Sequence, residues 1–185
     1  DQNDPNSRTI ERNLERFSKF SRKEAGEGFD EQVVAANIDT VFIVSGLDDN
    51  FNVGRIERYL VLAWGSGATP VVVLNKADLC LDRDEKVEEL SSIATGVDIH
   101  VLSASSGEGI HQLHPYVTPG RTSAFLGSSG VGKSTLINSL LGYEHFDTGA
   151  VRSGDSKGRH TTTFREMCIM DSGGLIIDTP GMREI

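Results

Sequence analysis

The chain has 185 residues, a formal net charge of −9 at pH 7, 37% hydrophobic residues and 24% charged residues. The length and composition are typical of a soluble domain with one core. The negative net charge argues against nucleic-acid binding by the entire surface. No apolar run approaches the roughly 18 residues of a membrane span, the polar N-terminus is unlike a secretory signal, and only two cysteines occur, so we expect a cytoplasmic protein with reduced thiols and no membrane partner.

The first 32 residues are polar and lack a clear strand or helix period, so we expect a basic arm or linker over 1–32 and one domain over 33–185. From Val33 onward apolar strands alternate with helical stretches, which indicates an α/β fold with a parallel sheet. The predicted strands are Thr40–Val44, Pro70–Leu74, Asp98–Leu102, Thr122–Leu126, Glu166–Met170 and Gly174–Ile177. The predicted helices lie near Val53–Trp64, Asp84–Ala94 and Lys133–Leu141. A loop from about Tyr143 to Arg165 is longer than usual connections, which marks it as functional or mobile.

A phosphate-binding loop is predicted at GSSGVGKST, which matches G-x-x-x-x-G-K-[ST] between a predicted strand and a predicted helix. Glycines let the backbone wrap around phosphate with its N–H groups inward, and the helix N-terminus adds a favourable dipole. Lys133 would reach the β- and γ-phosphates, and the Ser134 hydroxyl would bind Mg²⁺. The motif alone does not choose between ATP and GTP. Its predicted nucleotide-binding residues are Gly127, Ser128, Ser129, Gly130, Val131, Gly132, Lys133, Ser134 and Thr135.

The sequence NKAD, directly after a buried strand, favours a guanine base. The carboxylate of Asp78 can accept hydrogen bonds from the ring N–H and the exocyclic amine of guanine, whereas adenine offers no matching pair of donors. The stem of Lys76 can cover the flat face of the base, and Asn75 can tie this loop to the phosphate loop. We therefore predict that Asn75, Lys76, Ala77 and Asp78 bind the nucleotide.

Ser103 and Ala104 follow the next predicted strand, Asp98–Leu102. In this position the pair resembles the motif with which GTPases place a backbone N–H against the guanine oxygen. Ser103 and Ala104 are therefore added to the predicted nucleotide site.

The sequence DTPG, Asp178–Gly181, follows another predicted strand. Asp178 is predicted to hold Mg²⁺ through water, and the N–H of Gly181 to contact the γ-phosphate. The next residue is Met182, which cannot position water as a glutamine does in Ras-like enzymes. Catalysis must then use another group, for which His160 or a group supplied in trans by a partner are the candidates.

The long loop carries GRHTTT, in which one threonine is expected to bind Mg²⁺ and sense the γ-phosphate. We favour Thr162, with Thr161 and Thr163 as alternatives. A loop held only by γ-phosphate and metal orders with GTP and relaxes after hydrolysis, which makes a switch. The predicted catalytic residues are Lys133, Thr162 and His160, and the predicted Mg²⁺ ligands are Ser134, Thr162 and Asp178.

The motifs stand in a circularly permuted order, because NKAD and the Ser–Ala pair precede the phosphate loop and the switches. The predicted fold is an α/β P-loop NTPase three-layer sandwich with permuted GTPase topology. The chain closely resembles the ribosome small-subunit-dependent GTPase family, the RsgA/YjeQ type. The resemblance is carried by EQVVAANIDTVFIV, RYLVLAW, PVVVLNKADL, TPGRT, GSSGVGKSTLIN, KGRHTTT and IDTPGMRE.

This resemblance implies a GTPase that acts late in maturation of the small ribosomal subunit and is stimulated by that subunit. It implies GTP or GDP and Mg²⁺ as ligands, and the small subunit with its rRNA as partner; we expect a monomer. The family has an OB-fold before the GTPase domain and a zinc-binding domain after it. We expect that this chain is a fragment without these two domains, with zinc only in the missing C-terminal domain. The basic stretch Arg8–Lys23 is a candidate contact to rRNA phosphate.

Two other functions are weighed against this one. A P-loop kinase or ATPase acting on a small molecule agrees with the phosphate loop but not with NKAD and the two switch motifs. A module that holds guanine nucleotide with negligible turnover in this fragment agrees with Met182.

Overall fold

The computed structural model describes residues 10–23, 31–146, 148 and 166–178. The strands are β1 Lys19–Lys23, β2 Glu31–Ala36, β3 Thr40–Gly46, β4 Thr69–Asn75, β5 Asp98–Val101, β6 Thr122–Leu126, β7 Glu166–Ile169 and β8 Leu175–Asp178. The α-helices are α1 Val53–Ser66, α2 Arg83–Ser91 and α3 Lys133–Leu141, and two 3₁₀ helices span Ala77–Leu79 and Ile110–Tyr116. Within these described ranges, every helix is too short or too polar to traverse a bilayer.

The main sheet has six strands in the order β5-β4-β3-β6-β8-β7. β3 pairs in parallel with β4 and β6, β4 with β5, and β6 with β8, whereas β7 is antiparallel to β8. The five parallel strands therefore point their carboxyl ends to one edge of the sheet, where ligands of open α/β sheets bind.

The central strands are buried on both faces, which explains their continuous apolar sequences. One face packs against α1 and α2, and its largest buried side chains are Ile38, Ile43, Leu47, Ile56, Leu60, Leu74, Leu90 and Leu126. The other face packs against α3 and the second 3₁₀ helix, with Phe42, Leu102, Leu113 and Phe125 as its largest buried side chains. The predicted three-layer α/β sandwich is confirmed.

The start of α1 is fixed by a capping residue close to the carboxyl edge of the sheet. The side-chain oxygen of Asn52 accepts a hydrogen bond from the N–H of Arg55 at 2.8 Å. The helix ends at Gly67, whose left-handed φ of 85° lets its N–H donate to the carbonyl of Trp64. This cap holds the first turn of α1 next to the loop that follows β3.

A hairpin of β1 and β2 precedes the main sheet. Phe20 of β1 and Val34 of β2 are buried in the core on the α1 side of the sheet. The hydroxyl of Ser18 accepts a hydrogen bond from the N–H of Ile38 at 2.6 Å and donates one to its carbonyl at 2.7 Å. The hairpin is thereby joined to the chain that enters β3.

The hairpin corrects one expectation from the sequence. Residues 1–32 were expected to lack regular structure, and this is wrong for residues 19–23 and 31–32, which belong to β1 and β2. β1 has a single apolar residue among its five, Phe20, so it shows no alternating pattern, and the strand is identified only by its pairing with β2 and the burial of Phe20. The division into an arm and a domain at residue 32 stays a prediction.

The other elements lie close to their predicted bounds. β6 and α3 match them at both ends, and the remaining predicted strands differ by at most two residues. α2 ends at Ser91 instead of Ala94, because the N–H groups of Ile93 and Ala94 both donate to the carbonyl of Leu90 in a turn.

We predict that Ser18→Ala lowers the free energy of unfolding by about 1–3 kcal/mol, because the buried N–H and carbonyl of Ile38 lose their partner. Urea unfolding followed by circular dichroism measures the change. Ser91→Ala removes a hydroxyl of the same kind from an exposed helical position, and we expect a change within about 0.5 kcal/mol. Equal effects of the two substitutions would contradict the prediction.

Candidate nucleotide-binding site

The segments that the sequence singled out meet at the carboxyl edge of the sheet. β6 leads into the phosphate loop, β4 into NKAD and β5 into Ser103–Ala104, while β8 ends at Asp178. β3 lies between β4 and β6, so the loop that follows β3 also reaches this edge.

Two glycines of the phosphate loop stand where a side chain would collide with the neighbouring strands. Gly132 has a φ of 92°, and a Cβ at this residue would meet Nδ2 of Asn75. Gly127 has a φ of 152°, and a Cβ there would meet the carbonyl oxygen of Val44. Any other residue at either position would push the loop away from β3 and β4.

The backbone of the loop presents unpaired donors. No acceptor within the described part of the chain takes a hydrogen bond from the N–H groups of Ser129, Gly130, Val131 and Gly132. These groups directly precede α3, whose first N–H groups have no partner within the helix. Such a run of donors at a helix N-terminus fits a phosphate group.

Lys133 adds a positive charge to this set of donors. Its ammonium group is buried, with 6% of the residue exposed, and donates to the carbonyl oxygens of Gly127 and Ser128, both at 2.6 Å. The charge therefore lies against the loop itself, where it favours an anion bound by the neighbouring N–H groups.

Asn75 is 2% exposed and bonds to three other loops, two through its side chain and one through its backbone carbonyl. Its Nδ2 donates to the carbonyl of Val131 at 2.8 Å, and its Oδ1 accepts from the N–H of Ala104 at 2.9 Å. Its own carbonyl accepts from the N–H of Leu47 in the loop after β3, at 2.8 Å. The structure thus contains the tie between NKAD and the phosphate loop that the sequence led us to expect.

Lys76 adds a second bridge between the same loops. With a left-handed φ of 65°, it directs Nζ to the carbonyl of Gly130 and to Oδ2 of Asp48, each at 2.6 Å. Partial burial alone would raise the pKa of Asp48, but the hydrogen bond from Lys76, the N–H of Asn50 and the charge of Lys76 outweigh it. The pKa of Asp48 is therefore lowered.

The loop after β3 contributes residues that the sequence did not single out. Besides Asp48, Arg55 at the start of α1 donates from Nη1 to Oγ of Ser128 at 2.9 Å and to Oδ1 of Asn50 at 3.3 Å. The available signal was the polar run SGLDDNFN directly after a buried strand. This run follows a parallel strand, so it lies at the same edge as the phosphate loop.

The backbone N–H groups of Ser103 and Ala104 both donate hydrogen bonds to other residues of the chain. The N–H of Ser103 donates to the carbonyl of Glu108 at 2.9 Å, and that of Ala104 donates to Asn75. The pair therefore holds Asn75 in place, and its contact with the base stays a prediction.

Asp78 lies in the 3₁₀ helix that follows β4, and its side chain is exposed at the same edge. The preceding residue, Ala77, is buried and donates its N–H to the carbonyl of Leu102 at 3.1 Å. The segment that carries Asp78 is therefore hydrogen-bonded to Leu102, the residue directly after β5.

Asp178 ends β8 and is 3% exposed, next to the strand that leads into the phosphate loop. Its carboxylate and the hydroxyl of Ser134, in the first turn of α3, are the hard oxygen ligands that Mg²⁺ prefers.

On β7, burial and the negative charges of Glu166 and Asp178 raise the pKa of the Cys168 thiol. Cys168 and Cys80 are both free thiols, as expected.

Three of the predicted site residues fall outside the described part of the chain: His160, Thr162 and Gly181. The alternatives Thr161 and Thr163 fall outside it as well. Their assigned contacts stay predictions.

The fold and the order of the loops define a P-loop domain with permuted GTPase topology. The crystal structure of YjeQ from Thermotoga maritima superimposes with a TM-score of 0.67 at 31% identity, over 92% of this chain and 54% of that one. The structure of YloQ, described as a circularly permuted GTPase, covers 92% of this chain and 58% of its own with a TM-score of 0.51. At 20% identity, the second match shows the fold alone.

The chain belongs to the RsgA GTPase family, whose sequence model matches residues 13–185. A curated relative from Lactiplantibacillus plantarum, small ribosomal subunit biogenesis GTPase RsgA 2, is 52% identical over 84% of this chain and 44% of its own length. The RsgA protein of Methanosarcina acetivorans is 47% identical over all of this chain and 50% of its own length. The chain thus spans about half the length of the curated relatives that it matches.

We predict that Asp48→Asn lowers the free energy of unfolding at pH 7 by on the order of 1 kcal/mol, because Lys76 loses its charged partner. The pKa of Asp48 is depressed in the folded state, so its contribution is fully present above the ordinary carboxyl value of about 3.9. That contribution is lost as the pH falls through the lower folded-state pKa. Urea unfolding between neutral and acid pH should show the two proteins converging in acid.

The control is Asp49→Asn, which removes the same charge from the exposed neighbouring position. A pH dependence of stability that is the same for both variants would show that the bond to Lys76 does not matter.

Proposed function

We propose that this chain binds GTP or GDP with Mg²⁺ and hydrolyses GTP, and that the protein acts in biogenesis of the small ribosomal subunit. The proposal is supported by the site geometry and by the names of relatives that are about 50% identical to this chain in sequence. We further propose the small subunit and its rRNA as the partner, a cytoplasmic location and a monomeric state.

The observation that carries the proposal is the pair of bonds made by Asn75. This side chain bonds both Val131 and Ala104, so it ties the loop that carries Asp78 to the phosphate loop. The tie supports the proposal that one ligand has its base at Asp78 and its phosphates at Ser129–Gly132. A guanosine phosphate has its recognition groups at its two ends and fits this arrangement.

The chemistry requires positioning and charge stabilisation more than covalent catalysis. Lys133 and the loop N–H groups would bind the β- and γ-phosphates, and Ser134 and Asp178 would hold Mg²⁺, with Thr162 as a further ligand. Mg²⁺ bound there would neutralise charge that develops on the phosphates. His160 is the proposed group that orients water in place of a glutamine, and Gly181 the proposed contact to the γ-phosphate.

We predict that Asp78→Asn weakens GTP binding by about 10²–10⁴-fold, the loss expected for two hydrogen bonds to a charged group. The same variant should gain affinity for xanthosine nucleotides, whose base presents a carbonyl where guanine has its amine. Competition with labelled nucleotide measures both, and excess GDP but not ATP should displace GTP from the parent. Asp82→Asn removes an exposed carboxylate four residues further on and should leave both affinities unchanged.

We predict that Ser134→Ala lowers Mg²⁺-dependent GTP turnover by at least about 10–100-fold, the effect of disturbing a metal site. Ser91→Ala, which removes an exposed hydroxyl on α2 that bonds the carbonyl of Val87, is the control and should keep the turnover of the parent. Turnover is measured by phosphate release, with and without purified small ribosomal subunits.

The same assay separates the two functions that the sequence left open. Turnover that rises with small subunits supports the proposal, whereas tight GTP binding with negligible turnover in both conditions supports a nucleotide-holding module. Absence of GTP binding would overturn both.

A further inference from the structure

Three side chains with metal-binding atoms meet beside the antiparallel edge of the sheet, outside the groups that the nucleotide site uses. One ligand atom each from His145, Glu166 and Cys168 lie within 4.8 Å of one another. Nε2 of His145 and Oε1 of Glu166 are 2.7 Å apart, and Cys168 is 6% exposed. The set combines an imidazole, a carboxylate and a thiol.

The histidine is held in place by its surroundings. The N–H groups of His145 and Phe146 donate to Oδ1 of the buried Asn138 on α3, at 3.1 Å and 2.9 Å. The imidazole also makes edge contacts with the rings of Tyr143 and Phe146, at centroid distances of 5.9 Å and 4.8 Å. The ring is therefore oriented before any ligand arrives.

The other two residues are held by the sheet. Glu166 and Cys168 are two positions apart on β7, so both side chains lie on the same face. Their partners on the antiparallel neighbour β8 are Asp178 and Ile176. Cys168 packs in the core on the α3 side, in the same cluster as Phe146, which follows His145 in the chain.

These ligand types and their separation suit a borderline-soft divalent cation. Zn²⁺ binds nitrogen, oxygen and sulfur ligands tetrahedrally at about 2.0–2.3 Å, which separates neighbouring ligand atoms by about 3.3–3.8 Å. Small side-chain shifts bring atoms from within 4.8 Å to these distances. The side chains of His145 and Glu166 are 31% and 46% exposed, which leaves one side of the site open to water.

We propose that His145, Glu166 and Cys168 form a Zn²⁺ site, with water as the fourth ligand. The site is chemically distinct from the Mg²⁺ site, since it offers nitrogen and sulfur where the other offers oxygen. In the sequence, His145 precedes residues 147–165, whereas Glu166 and Cys168 follow them. A bound ion would therefore link the chain after α3 to β7. The proposal does not depend on nucleotide hydrolysis.

The experiment uses the thiol to distinguish this site from the ion pair alone. Co²⁺ is added to the full 185-residue chain in the presence of saturating Mg²⁺, and the absorption spectrum is recorded. A thiolate-to-cobalt charge-transfer band in the near ultraviolet, with the visible bands of four-coordinate Co²⁺ and displacement by one equivalent of Zn²⁺, is the expected result. A parent chain that shows no such band overturns the proposal.

The chain has two cysteines, which provides a matched pair of variants. Cys168→Ser should abolish the charge-transfer band, whereas Cys80→Ser should retain it. Sγ of Cys80 lies 3.6 Å from the ammonium of Lys86, a position that disfavours a metal ion. A band that survives Cys168→Ser and disappears in Cys80→Ser overturns the proposal.

Because Cys168 is buried, two variants at partly exposed positions keep the test valid if Cys168→Ser does not fold. His145→Gln and Glu166→Gln should each weaken Co²⁺ binding by at least about 10–100-fold, with the far-ultraviolet circular dichroism of the parent. Unchanged Co²⁺ affinity in both variants would exclude these residues as ligands.

Discussion

The candidate site depends on one buried amide group. A carboxamide carries a donor and an acceptor side by side, so Asn75 can bond a carbonyl of the phosphate loop and an N–H of the loop after β5 simultaneously. An aspartate at this position would lack the donor, and an apolar residue would leave two buried backbone groups without partners. The glycine at 132 follows from the same contact, because Nδ2 of Asn75 occupies the space that a side chain would need.

The topology explains how motifs in permuted order build a single site. A sheet is defined by which strands are neighbours, and β3 lies between the strand that carries NKAD and the strand that carries the phosphate loop. The loop after β3 is therefore inserted between the two, and Asp48 and Arg55 reach both through Lys76 and Ser128. These polar contacts stiffen the edge on which the nucleotide is proposed to lie.

Much of the fold could be predicted from the sequence because the patterns that indicate it lie within short segments of the chain. The apolar runs of β3 and β4 reflect burial on both faces, and the phosphate-loop motif marks the end of β6 and the start of α3. The features that were missed depend on tertiary contacts. Arg55 contacts Ser128, 73 positions away, so no short window along the chain contains both residues. β1 is close in sequence to its partner β2, but the burial of Phe20 against the α1 side of the main sheet is not visible in its local pattern.

The proposed Zn²⁺ ligands, His145, Glu166 and Cys168, could not be predicted from the sequence for the same reason. A histidine after a helix and a glutamate and a cysteine on an edge strand carry no motif, and only the fold brings their ligand atoms within 4.8 Å of one another. By contrast, the residues of NKAD and the phosphate loop are recognisable from spacing because neighbouring positions act on one ligand. Spacing is informative only where the chain itself, rather than the fold, sets the distances.

The position of NKAD ahead of the phosphate loop also has a consequence for biosynthesis. A ribosome completes β3, α1, β4, α2 and β5 before β6 and α3 exist, and these earlier elements can begin to pair while translation continues. During that interval the Nδ2 group of Asn75 has no carbonyl of Val131 to bond, and the phosphate loop before α3 has not yet been made. The proposed nucleotide site is therefore complete only after β6, the phosphate loop and α3 have left the exit tunnel, so nucleotide binding would report that this part of the domain has been synthesised.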